Sequence, residues 1–191
     1  MKLTEIIETN EYIKKYKTDK ESIHKYCSLI YQKIFEPAKD KKMDILEIGI
    51  QSGASLVLWN EFFKNSIIYG IDNANFVKGH FDQYPRIKTI IQNAYNEKIL
   101  THLPLFDIII DDGPHSLESQ KKFISLYFNK LKKGGILIIE DIDGHENANE
   151  LIRCAYHYSS SFHLIDTRKE TNRHDNIVLI INNDHESDYL K

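Results

Sequence analysis

Two short apolar runs that end in acids constrain the fold of this chain more than any other feature. The first, Asp107-Ile108-Ile109-Ile110-Asp111-Asp112, leads into Gly113-Pro114-His115, and the second is Gly135-Ile136-Leu137-Ile138-Ile139-Glu140-Asp141. A β-branched run without polar alternation reads as a strand covered on both faces, as in a parallel sheet. Open α/β sheets bind their ligands at the carboxyl ends of such strands. If the two strands are neighbours, Asp112, Glu140 and Asp141 converge and His115 stands beside them. Carboxylates packed together repel one another unless a cation neutralises them. The residues therefore predict a hard-cation site with a general base attached. The bland alternative makes Asp111 and Asp112 turn-formers, Glu140-Asp141 a solvated strand end and His115 the start of a helix. Coincidence of all these at successive strand ends favours the metal-and-base reading.

The rest of the chain fits an α/β domain. A loose amphipathic helix is expected from Leu3 to Tyr16, then a polar break at Lys17-Thr18-Asp19-Lys20. A better helix runs from Ser22 to Phe35, with Ile23, Tyr26, Cys27, Ile30, Tyr31 and Ile34 at helical steps. A strand at 43–48 then enters the turn Gly49-Ile50-Gln51-Ser52-Gly53, and a helix follows. Such a unit lets backbone approach a ligand at a helix amino terminus. Its glycine spacing is not that of dinucleotide enzymes, which argues against a nicotinamide dehydrogenase. The second strand ends in Asp72, placed either to accept bonds from a ribose diol or to cap the next turn. Arg86 to Ala94 is a third strand. Ser116 caps a helix that runs to about Leu131, Asn147 to Tyr158 is helical, and 161–166 with 176–181 form a closing hairpin around the polar loop 167–175. No repeat or linker divides the chain, so residues 1–191 are expected to form one domain, with helices over 1–40 covering the cofactor and acceptor side of a core at 43–191.

Composition narrows the partners. The 25 Lys and Arg stand against 28 Asp and Glu, a net charge of −3, without the clustered basic excess of a nucleic-acid surface. No apolar run approaches the ~20 residues that span a bilayer. Cys27 and Cys154 lack metal-type spacing and argue for a reducing compartment, the cytoplasm being the simplest. His24, His80, His102, His145, His157, His163, His174 and His185 are scattered and read as ordinary surface or core residues. Tyr16, His24 and Tyr26 flank the Thr18–Lys20 segment and are candidates to line an acceptor side, as is the loop with Arg168, Arg173, His174 and Asp175.

The segment Leu46-Glu47-Ile48-Gly49-Ile50-Gln51-Ser52-Gly53-Ala54-Ser55-Leu56 resembles the cofactor loop of class I S-adenosylmethionine-dependent methyltransferases. Taken with Lys17–Lys20, Ile109–His115 and Ile138–Asp141, the chain resembles the metal-dependent sugar O-methyltransferases, the group of the macrolide-sugar (mycinamicin and demethylmacrocin), cephalosporin and rhamnosyl enzymes. The resemblance covers roughly Lys17 to Asp141. It implies a Rossmann-like, seven-stranded sheet flanked by helices, its last strand antiparallel. It implies S-adenosylmethionine bound by Thr18, Lys20, Glu47, Gly49, Gln51, Gly53, Ser55, Asp72, Asn93, Ala94 and Asp111. It further implies Mg²⁺ held by Asp112, Glu140 and Asp141, with His115 as catalytic base. Asn93 stands where relatives often carry Asp; an amide still bonds an adenine edge.

The implied activity is Mg²⁺-dependent methylation of a sugar hydroxyl, free, in a glycan or on a glycosylated natural product. A cation lowers the pKa of a bound hydroxyl, and a neutral imidazole takes its proton. Small catechol-type acceptors and a non-catalytic cofactor-binding module are the competing readings. Because little precedes Lys17, a homo-oligomer or a longer multidomain polypeptide is expected to complete the acceptor side.

Overall fold

The computed structural model describes residues 1–77 and 79–183; His185 lies outside them. Seven strands form one sheet in the order β3-β2-β1-β4-β5-β7-β6. In chain order these are Asp44–Ile48 (β1), Ile67–Asp72 (β2), Ile87–Ile91 (β3), Phe106–Asp111 (β4), Leu131–Ile139 (β5), Phe162–Asp166 (β6) and Ile177–Asn182 (β7). The first five run parallel, while β7 is antiparallel to both β5 and β6. Together with its flanking helices this is the seven-stranded sheet with an antiparallel last strand expected from the sequence, closing hairpin included.

Successive side chains of a strand face opposite sides, and the sheet sorts its isoleucines accordingly. Ile45, Ile68, Ile108, Ile110, Ile136, Ile138 and Ile180 pack to one face, under the amino-terminal helices and Ala54–Phe62. Leu46, Ile48, Ile109, Leu137, Ile139, Leu179 and Ile181 pack to the other, under Leu117–Tyr127 and Gly144–Ala155. Both faces of β1, β4, β5 and β7 are buried, which is why those strands read as unbroken apolar runs. Among the described residues no helix is long and apolar enough to cross a membrane.

The amino-terminal helices depart from expectation. The first breaks at Asn10, whose side chain accepts from the Ile13 amide and caps a new helix, giving Leu3–Thr9 (α1) and Glu11–Tyr16 (α2). The helix expected over 22–35 is two pieces. Asp19–Ser22 (α3) ends in a turn where Lys25 takes φ 55°, and a π-helical stretch Cys27–Tyr31 then runs into Gln32–Phe35 (α4). π turns recur at functional sites, and this one carries Tyr31 to the acid cluster. The helix after Ser116 also ends early, at Tyr127, because Leu131 already pairs with Phe106 in the sheet.

Candidate active site

The carboxyl ends of β1, β2 and β4 open on a cavity of about 450 Å³, within the range of small-molecule sites. Of the residues expected on a cofactor, Thr18, Gly49, Gln51, Ser55, Asp72, Asn93 and Ala94 line it; so do Asp112 and His115 at one end. Lys20, Glu47, Gly53 and Asp111 lie outside this lining, and all four are buried.

The Gly loop is braced from β2. Asp72 Oδ2 accepts from the amides of Ile50 (2.9 Å) and Gln51 (3.0 Å), while Oδ1 accepts from Ala74 (3.0 Å). Two donors fill Oδ2 while Oδ1 keeps one lone pair, so Asp72 both shapes the loop and retains an acceptor for a ligand. The amino-terminal helices close against the same loop, Tyr12 Oη donating to the Ser52 carbonyl at 2.7 Å.

Asp111 and Asp112 turn to different surroundings. Asp111 is buried and accepts from Tyr95 Oη at 3.0 Å. Burial pushes its carboxyl up to about 7, against that hydrogen bond. Asp112 Oδ2 accepts from the Lys20 ammonium at 2.9 Å, and Oδ1 lies 3.2 Å from His115 Nε2. Burial alone would raise Asp112, but the Lys20 charge and the His115 hydrogen bond hold it below the usual carboxylate range. His115 Nε2 is also 3.5 Å from Asp141 Oδ2. Desolvation lowers the imidazole pKa, yet the bond to Asp112 and the charge of Asp141 outweigh it and raise the group above its ordinary value.

Glu140 and Asp141 diverge, as consecutive residues leaving a strand do. Glu140 is buried with both oxygens engaged, one by Lys20 Nζ and one by Tyr31 Oη. Its neighbour Glu47, 3.1 Å from Lys20 Nζ, accepts from Trp59 Nε1 on its other oxygen. Burial raises both carboxyls, and the Lys20 charge opposes it. Asp141 instead faces His115. The convergence expected of Asp112, Glu140 and Asp141 is thus split into two groups that share Asp112. One is Asp112, His115 and Asp141; the other is Glu47, Asp112 and Glu140, and within each the ligand atoms lie within 4.8 Å of one another. Oxygens with one imidazole suit a hard divalent cation such as Mg²⁺. The group containing His115 borders the cavity; the other is already filled by Lys20.

Non-glycine residues in the left-handed region mark this corner: His115 at φ 58° and Asp141 at φ 54°, with Gln51 at 42° in the loop. Such strain gathers where a site over-determines its backbone.

The sequence reading missed what holds Asp141. Its Oδ1 accepts from Tyr26 Oη at 2.7 Å and lies 3.1 Å from His24 Nδ1. That nitrogen is also 2.6 Å from Asn176 Oδ1, while Asn176 Nδ2 donates to the His24 carbonyl and to Thr167 Oγ1. Two acceptors around Nδ1 require it to carry hydrogen. His24 and Tyr26, expected on the acceptor side, are only 5% and 1% exposed and buttress Asp141 from behind. Arg168 and Arg173 pair with Asp166 and Asp175 and do not line the cavity. No sequence signal distinguished these hydroxyls and rings from ordinary core residues.

Residues 46–142 match a family model described as a methyltransferase domain. Among curated proteins, the chain is 31% identical over 144 residues to demethylmacrocin O-methyltransferase of Streptomyces fradiae, covering 70% of this chain and 36% of that one. It is 30% identical over 137 residues to 8-demethyl-8-alpha-L-rhamnosyl tetracenomycin-C 2'-O-methyltransferase of Streptomyces olivaceus, covering 65% and 35%. The chain therefore spans about a third of the length of these relatives. Of solved structures, it superposes on the MycE methyltransferase of the mycinamycin biosynthetic pathway, in complex with Mg and SAH, with a TM-score of 0.71 at 24% identity, covering 92% of this chain and 55% of that one. A Methanococcus jannaschii fibrillarin pre-rRNA processing protein gives 0.61 at 17% identity, covering 74% and 66%. At these identities the structures speak to the fold alone.

Proposed function

The chain belongs to the methyltransferase-domain family, and from that membership we propose that it is a Mg²⁺-dependent, S-adenosylmethionine-dependent O-methyltransferase acting on a sugar hydroxyl. The observation that carries this reading is one cavity bordered by the Gly loop and Asp72 on one side and by Asp112 and His115 on the other. The sugar O-methyltransferases among its relatives point to the acceptor class.

That cavity would hold S-adenosylmethionine, which would supply the methyl group. Asp112 and Asp141 would hold Mg²⁺, with Glu140 joining them only by giving up its Lys20 partner, and the ion would supply Lewis-acid polarisation of the acceptor hydroxyl and offset the carboxylate charge that raises the His115 pKa. The chain's own residues do the rest. Asp72 offers the remaining lone pair of Oδ1 to a ribose hydroxyl, while Asn93 and Ala94 bond the adenine edge. Thr18, Gly49, Gln51 and Ser55 contact the cofactor from the wall. Lys20, Glu47, Gly53 and Asp111 act on it through the loop and turn they support. Neutral His115 takes the hydroxyl proton as the bond to carbon forms, on the ring nitrogen that is not donating to Asp112, and Asp112 holds the ring in reach.

The test is release of S-adenosylhomocysteine with a panel of glycosides and catechols, with and without chelator, in wild type and His115→Ala. Glycoside turnover lost on chelation and in the variant supports the proposal. Turnover of catechols alone moves the substrate to small aromatic diols, and cofactor binding without turnover of any acceptor makes this an interaction domain.

A further inference from the structure

The inner carboxylates of the site are claimed by a cation that belongs to the chain. Lys20 is 1% exposed, although lysine is almost never fully buried unless paired. Its ammonium lies 2.9 Å from Asp112 Oδ2 and 3.1 Å from Glu47 Oε1, and it donates to Glu140 Oε2. The far oxygens of Glu47 and Glu140 are tied to Trp59 Nε1 and Tyr31 Oη, so these two acids are fixed toward the ammonium and away from the cavity. Asp112 alone belongs to both groups, one oxygen on Lys20 and the other beside His115.

This arrangement has two physical consequences. Glu47, Asp112 and Glu140 would repel one another if left bare, and the ammonium neutralises part of that charge without any bound ion. A divalent cation on Asp112 would sit roughly 2.1 Å from a carboxylate oxygen. On Oδ2 it lies within about 5 Å of the Lys20 charge, and on Oδ1 somewhat further, distances at which like charges still interact strongly at the low effective dielectric of a partly buried site. The ammonium and the cation therefore draw on the same acids.

We propose that Lys20 is a tethered counter-ion that competes with the divalent cation for Asp112 and Glu140, lowering the cation's affinity while letting the acid cluster stay folded without it. This rests on the reading above that a divalent cation binds beside Asp112 and Asp141. Lys20 is a positioning residue in this scheme, since it acts through the two acids.

The experiment is calorimetric titration of Mg²⁺ and Mn²⁺ into the metal-free full chain, wild type against Lys20→Met, with Lys20→Arg as the charge-preserving variant. Lys20→Met is expected to bind at least tenfold more tightly. Its melting temperature, below that of wild type in chelator, should climb more steeply with Mg²⁺, and Lys20→Arg should not tighten binding. A lysine that merely packs the cluster would weaken cation binding when replaced. Equal or weaker affinity in folded Lys20→Met therefore overturns the proposal. Should Lys20→Met fail to fold even with cation, ¹⁵N-lysine NMR of the wild type decides: saturating Mg²⁺ must shift the Lys20 ammonium resonance or speed its hydrogen exchange, and an unmoved signal overturns the proposal. Cation binding absent from wild type but present in Lys20→Met supports the competition while counting against a Mg²⁺-dependent wild-type enzyme. Absence of binding in both defeats both readings.

Discussion

The carbonyl oxygen of Asp112 lies 1.8 Å from the point that a Cβ on Gly49 would occupy. Gly49 has φ +83°, and the Asp112 amide donates to the Ile48 carbonyl at 2.9 Å. The loop after β1 and the acid after β4 thus meet backbone to backbone, where nothing yields as a flexible side chain would. Gly49→Ala is expected to cost about 2–5 kcal/mol, from a left-handed backbone penalty of about 1–2 and an overpacking cost of about 1–3. Because the clash displaces Asp112, affinity for S-adenosylhomocysteine and for Mg²⁺ should fall together. Urea denaturation and calorimetry check this; wild-type stability with both affinities intact would refute the coupling.

His115→Gln separates chemistry from binding. Among the described residues, His115, whose Nε2 lies 3.2 Å from Asp112 Oδ1, supplies the only imidazole in the cavity wall. Loss of a positioned general base costs roughly 10²–10⁴ in kcat, so kcat should drop by that order while product affinity stays within about threefold. The limb of the pH–rate profile that reports deprotonation of the base should also vanish. Retention of wild-type kcat would remove His115 from the proton transfer.

Much of this was legible in the sequence because the informative residues sit where periodicity changes. Ile108–Ile110 and Ile136–Ile139 are buried on both faces, so their apolar runs read as covered strands, and the pairing of β4 with β5, which the sequence reading took only as a condition, sets Asp112 beside the next strand's end. Periodicity could not place the side chains that leave the strand ends. Glu140 and Asp141 are adjacent in sequence yet face different partners, and which way each turns depends on Lys20, Tyr31, Tyr26 and His24, all from a segment more than a hundred residues earlier. The π-helical stretch was equally hidden, since Tyr26, Ile30 and Tyr31 satisfy an ordinary helical stripe. A tyrosine on that stripe reads as core, and here it is core with a hydroxyl that has a task.

Asp111 makes stability depend on pH in a direction opposite to most carboxylates. Its folded pKa, pushed up to about 7 by burial, lies above an unfolded value near 3.9. Between those values the folded chain holds a proton that the unfolded chain has released. Stability from this group is therefore fully present below about pH 4 and lost as pH rises through about 7. Glu140, Glu47 and Asp141 are raised as well and act in the same sense, so only a difference isolates Asp111. Wild type minus Asp111→Asn, measured by denaturation in chelator from pH 4 to 8, should change by at most about 4 kcal/mol in favour of the variant at the alkaline end. A flat difference would show that Asp111 ionises normally.

The contact of Tyr12 with the Gly loop yields the last expectation. Its hydroxyl donates to the Ser52 carbonyl at 2.7 Å and lies 2.9 Å from His80 Nδ1, which supplies the complementary hydrogen when that nitrogen is protonated. Ser52 lines the cavity, so α2 holds one wall of the cofactor site in place from outside. A hydrogen bond of this kind contributes about 0.5–1.5 kcal/mol net, and Tyr12→Phe keeps the ring packing against Tyr16 and Phe81. Affinity for S-adenosylhomocysteine should therefore fall by about 2- to 12-fold, with Mg²⁺ affinity unchanged because the acids lie at the other end of the cavity. Equal losses of cofactor and cation affinity would mean instead that the amino-terminal helices support the whole site rather than its loop.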